Sequence, residues 1–120
     1  VTTKRNISFM IPKYLLDQIL VRAHVAGVSR NAEMRALVTA GLVAAGEDDF
    51  PLEFAVSPPT RAIVWIDDEI VADVAERAKR YGRSMGKELV RLLGFGLQTG
   101  VNRDLELIAK MMLRQGQPAH

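Results

Sequence analysis

The sequence contains no cysteine. That excludes disulfides and thiolate metal sites, and it is the usage expected of a protein in a reducing cytoplasm. No apolar run approaches the ~20 residues that a membrane span requires, so no membrane association is expected. Histidine is limited to His24 and His120. Neither has a partner that would complete a catalytic triad or a zinc set. The acidic clusters Glu47-Asp48-Asp49 and Asp67-Asp68-Glu69 lack calcium-loop spacing. No phosphate-binding glycine loop and no nucleophile elbow occurs. No catalytic residue, metal or cofactor is therefore expected, and the chain reads as a non-enzyme.

What the sequence does contain is a repeat. Asn6-Ile-Ser-Phe-Met-Ile-Pro12 alternates in character, and Arg61-Ala-Ile-Val-Trp-Ile-Asp67 follows it at an offset of 55 positions. At the same offset, without a gap, Gly27 answers to Gly82, Ser29 to Ser84, Glu33 to Glu88, Leu37 to Leu92 and Gly41 to Gly96. Each copy reads as a strand followed by two helices. Neither copy is long enough to bury a stable core alone, so the two must share one. The net charge of +2 is unevenly spread: residues 1–43 hold six Lys/Arg against two acids, and residues 44–60 hold four acids and no Lys/Arg. A basic first repeat suggests an anionic partner for part of the surface.

The expected organisation is a single globular unit over 1–120. A first repeat spans 5–44, a connector 45–60, a second repeat 61–99, and an extra helix about 101–115, capped by Asn102. The first residue, Val1, suggests a processed chain or a piece of a longer one. In the first repeat, period-two alternation predicts a strand ending at Pro12. Leu15, Leu16, Ile19, Leu20 and Ala23 predict the apolar stripe of a helix over Lys13–Ala26, which Gly27 ends. Ser29 is an N-cap for a second helix to about Ala44, with Met34, Leu37, Val38, Gly41 and Leu42 inward. In the second repeat, the strand is Arg61–Ile66. One helix follows from Asp67-Asp68-Glu69 to about Tyr81, with Ile70, Val71, Val74 and Ala78 inward. Another follows from Met85 to Gln98, capped by Ser84. Arg77, Lys79 and Arg80 read as a solvated helix face, and Glu33 and Glu88 as structural acids near the helix starts. The connector carries Phe50, Leu52, Phe54 and Val56, too many apolar residues for a free linker, and is expected to lie on the core as an ordered strap.

Lone strands are unstable, so the two should pair antiparallel across a pseudo-twofold axis. The fold class is then mainly α with a two-stranded antiparallel β-ribbon. Ile7, Phe9, Ile11, Ala62, Val64 and Ile66 face the helices. Asn6, Ser8, Met10, Arg61, Ile63 and Trp65 face outward. A two-stranded ribbon fits the DNA major groove, where its outer side chains can touch base edges.

The strand ending in Ile11-Pro12, the Gly27-Val-Ser29-x-x-x-Glu33 turn with Leu37, and the second copy Gly82-Arg-Ser84-x-x-x-Glu88 with Leu92 resemble the ribbon-helix-helix DNA-binding proteins. Two copies in one chain make it similar to the tandem members of that family that assist bacterial DNA transfer, such as TraY-type relaxosome proteins and accessory factors of T-DNA transfer in virulence. The resemblance implies a non-catalytic protein whose partner is double-stranded DNA, with other relaxosome proteins as further partners. It also implies a pseudodimer able to act as a monomer. The base-facing residues would be Asn6, Ser8, Met10, Arg61, Ile63 and Trp65. The phosphate anchors would be Lys4, Arg5, Ser29, Arg30, Arg83, Ser84 and Lys87, since helix N-termini suit phosphate.

The chain departs from the family pattern at Met10, Ile63 and Trp65, where polar readers are usual. Apolar groups contact thymine methyls and read little else. Either DNA shape supplements recognition, or the outer face has another partner. Trp65 can point outward or, with the register shifted, pack under the connector or terminal helix. A repressor or antitoxin of the same family and a protein-interaction module are the alternative functions. Unequal strands predict an asymmetric DNA site.

Overall fold

The computed structural model describes residues 3–99, and within them four helices accompany one two-stranded antiparallel sheet. Chain order is β1 (Lys4–Pro12), α1 (Lys13–Ala26), α2 (Arg30–Ala45), β2 (Pro59–Asp67), α3 (Asp68–Arg80) and α4 (85–99). β2 is longer than expected at both ends because pairing with β1 carries it from Pro59, opposite Pro12, to Asp67, opposite Lys4. The helix expected over 101–115 lies outside the described residues. No described helix is long and apolar enough to cross a membrane.

Strand alternation sets the layers. Phe9, Ile11, Ala62, Val64 and Ile66 are buried against the helices, with Ile7 partly buried beside them. Ser8 pairs with Ile63, its own counterpart at the 55-residue offset, so the local symmetry axis passes through that pair. Hydrogen bonds obey the same offset. Lys13 N–H donates to Pro58 O (3.0 Å) and Asp68 N–H to Thr3 O (2.8 Å). Gly27 and Gly82 end α1 and α3 at φ of 70° and 66°, where a Cβ would be strained.

α2 and α4 cross at their glycines. A Cβ on Gly41 would collide with the carbonyl of Leu92, and one on Gly96 with the carbonyl of Leu37. The two contacts are again related by the offset. Around this crossing Met34, Leu37, Val38, Leu89, Leu92 and Leu93 are buried. α1 contributes Leu15, Leu16, Ile19 and Ala23, while Leu20, expected inward, is 40% exposed.

The connector is an ordered strap for most of its length. Phe50 is buried and stacks on Phe95 with ring centroids 4.1 Å apart. Leu52 and Phe54 pack where Gly94 has no side chain. Tyr14 Oη accepts from Ala55 N–H (3.1 Å). Val56, expected among the apolar contacts, is fully exposed. Arg77 does not belong to a solvated face: it is 4% exposed and donates to Gly46 O and Asp48 O, each at 3.0 Å. Its guanidinium lies over the Phe50 and Tyr81 rings. Arg80 donates to Glu47 O at 3.1 Å, and Arg91 donates to Phe50 O. These carbonyls follow the end of α2, where unpaired C=O groups and the dipole attract cations.

Gly96→Ala must separate two backbones. It should lower unfolding free energy by the upper part of the ~1–3 kcal/mol typical of overpacking, with Gly41→Ala similar, as measured by chemical denaturation. The hydrogen bond from Arg83 holds the Asp49 carboxyl below its usual 3.8, with help from the nearby charge of Arg91. A pKa lowered on folding stabilises the native state above the unfolded value and loses that contribution as pH falls through the folded one. The stability gap between the wild type and Asp49→Asn should therefore be constant near neutrality and close below about pH 4, by denaturation across pH.

Candidate nucleic-acid interface

All six outward side chains of the ribbon are exposed on one face. They form three cross-strand pairs: Asn6 with Trp65, Ser8 with Ile63, and Met10 with Arg61. Met10 is 50% exposed, Ile63 42% and Trp65 49%, so Trp65 points outward and is not packed beneath the connector. The Arg61 guanidinium donates to Ser8 Oγ at 3.3 Å, reaching diagonally across the ribbon. Alternation alone puts these residues on one face; their rows follow from the register.

One anchoring contact has no sequence signature. The Asn31 side chain donates to Trp65 O (3.2 Å) and accepts from Trp65 N–H (2.7 Å). It completes the hydrogen bonding of the β2 edge there and ties the start of α2 to the ribbon. The repeat offset puts Gly86 at the equivalent place in α4, where a Cβ would lie 3.2 Å from Phe9 Cβ. The difference between Asn31 and Gly86 at the offset is visible in the sequence, but it names no strand partner.

Two helix starts flank the ribbon. Ser29 Oγ accepts from Ala32 N–H (3.0 Å), and Ser84 Oγ from Lys87 N–H (3.2 Å). Both hydroxyls thus serve as caps. The remaining first-turn amides, at Arg30 and Asn31 and at Met85 and Gly86, have no acceptor within their own helix. Arg30 and Lys87 are exposed at these starts. Lys4 and Arg5 stand at one ribbon end, where Arg5 Nε meets Asp68 Oδ1 at 3.2 Å. Both partners are well exposed, so an incoming phosphate can compete for Arg5 at little cost.

Arg83 is placed differently from the expected phosphate anchor. Its guanidinium bonds Asp49 at 2.5 Å and the fully buried Glu88 at 3.1 Å. Hydrogen bonding to Asp49 and the charge of Glu88 raise its pKa. The counterpart acid, Glu33, takes Arg22 at 3.2 Å. Both acids are therefore structural, and burial of Glu88 requires the Arg83 charge to stay beside it.

Two clefts lie elsewhere. One of about 870 Å³ is lined by α1, α4 and the connector, and one of about 730 Å³ by α2 with Asp67, Ile70 and Thr99. Neither includes an outer ribbon side chain. Among the described residues no group of acids or histidines is arranged to hold a metal ion. Comparison with protein-family models, with curated proteins and with solved structures finds no match.

Asn31→Ala removes two hydrogen bonds and should cost about 1–3 kcal/mol. Because Trp65 is the sole tryptophan, the loosened edge should also lower its fluorescence anisotropy. Unchanged anisotropy would show that Asn31 does not hold the strand.

Proposed function

We propose that the chain is a tandem ribbon-helix-helix protein that binds double-stranded DNA without catalysis, its ribbon in the major groove. What carries this reading is one arrangement: an exposed two-stranded face, flanked by two capped helix N-termini that the 55-residue offset relates. A ribbon of this width enters a groove about 12 Å across. The helix starts, with Arg30 and Lys87, would then lie toward the two phosphate backbones. The matched hydrogen bonds at Pro58 and Thr3, and the paired glycine contacts of α2 and α4, support the tandem arrangement. Asn6, Ser8 and Arg61 are the polar base readers. Lys4 and Arg5 add positive charge at the ribbon end, and Arg83 serves the connector instead. The biological setting we propose is plasmid or T-DNA transfer, on the resemblance of the repeats to transfer accessory proteins. A repressor or antitoxin would use the same surface.

A protein-interaction module is the second reading, favoured by the exposure of Met10, Ile63 and Trp65. Duplex affinity against salt separates the two. A groove binder loses affinity with a log–log slope of about −0.9 per neutralised phosphate. Arg61→Ala should weaken binding by about 1–3 kcal/mol with the slope kept, as for a lost base contact. Arg30→Ala should weaken it uniformly and reduce the slope by about 1. Absence of duplex binding at low salt would overturn the DNA reading.

A further inference from the structure

The three outer pairs of the ribbon share one property. Each joins a hydrogen-bonding residue to an apolar one: Asn6 with Trp65, Ser8 with Ile63, Arg61 with Met10. The apolar members are 42–50% exposed. Strand geometry spaces successive pairs by about 7 Å, close to two base steps of ~3.4 Å each. The ribbon's three rows therefore match a window of about five base pairs.

We propose that this face reads the C5-methyl groups of thymine, with Met10, Ile63 and Trp65 as methyl contacts and the polar member of each pair as the neighbouring hydrogen-bond partner. The proposal rests on the DNA reading above. On the major-groove edge, thymine carries its methyl directly beside the O4 acceptor. A row that pairs an apolar side chain with a donor complements that edge. An apolar protein partner would instead leave Arg61 covered beside Met10 with only Ser8 to bond, which is costly for a guanidinium. The Asn31 bridge to the Trp65 backbone fixes the residue whose large ring gains most from exact seating.

The test compares alternating duplexes of equal length, d(AT) and d(AU), which differ in the major groove by the methyl alone. Binding is followed by Trp65 fluorescence over a salt series. The d(AT) duplex should bind tighter by about fourfold for each methyl engaged, the equilibrium ratio of one buried methylene. Salt slopes should be equal because the phosphates are the same. Met10→Ser with Ile63→Ser should shrink the ratio toward one, with folding checked by thermal unfolding. Equal affinity of the wild type for both duplexes would overturn the methyl reading while leaving DNA binding in place. A ratio retained by the folded double variant would overturn it too. No binding to either duplex at low salt would overturn both readings.

Discussion

The close approach of α2 and α4 is the constraint on which the rest depends. Gly41 and Gly96 let two helix backbones touch where any side chain would hold them apart. That contact sets how far apart the helix starts at Ser29 and Ser84 stand. It also fixes the platform on which Phe9, Ile11, Val64 and Ile66 rest. Among the described residues the ribbon has two strands and no further strand on either side to support it. Its stability therefore draws on this platform, on the Asn31 bridge to Trp65 and on the bonds that close its two ends, from Lys13 N–H to Pro58 O and from Asp68 N–H to Thr3 O.

Around that symmetric centre the two copies differ, and the connector explains much of the difference. Side chains at Arg77, Tyr81, Arg83, Arg91 and Phe95 bind the chain as it leaves α2. Their counterparts at the offset are Arg22, Ala26, Val28, Ala36 and Ala40. Val28 is 44% exposed, whereas Arg83 is held between Asp49 and Glu88. The strap thus draws basic and aromatic residues to one copy. This is why Arg83, though it stands beside a helix start, is taken up by Asp49 and Glu88.

Periodicity made the frame of the fold legible. Alternation gave both faces of the ribbon, and the serines and glycines gave the helix limits, because those signals are local and physical. What periodicity could not give was the identity of a covering segment. Arg77 sits on α3 where a 3.6-residue period permits solvent, yet carbonyls some thirty residues earlier close over it. Val56 has the composition of a core contact but falls where the strap turns away toward β2. At the candidate interface the six outer residues could be read from the sequence. The Asn31 clamp on Trp65 could not, since it joins a helix start to a strand edge 34 positions away.

The pair on the symmetry axis, Ser8 with Ile63, carries a consequence for orientation. A dimer of identical chains must place the same residue on both sides of its axis, and so looks alike after a half turn. Joining the copies in one chain lifts that restriction, and here unlike residues meet at the centre. The face consequently has a direction. A partner seated on it finds a different contact on rotation by 180°, so the two orientations of the bound assembly differ in energy without a second protein to mark the difference.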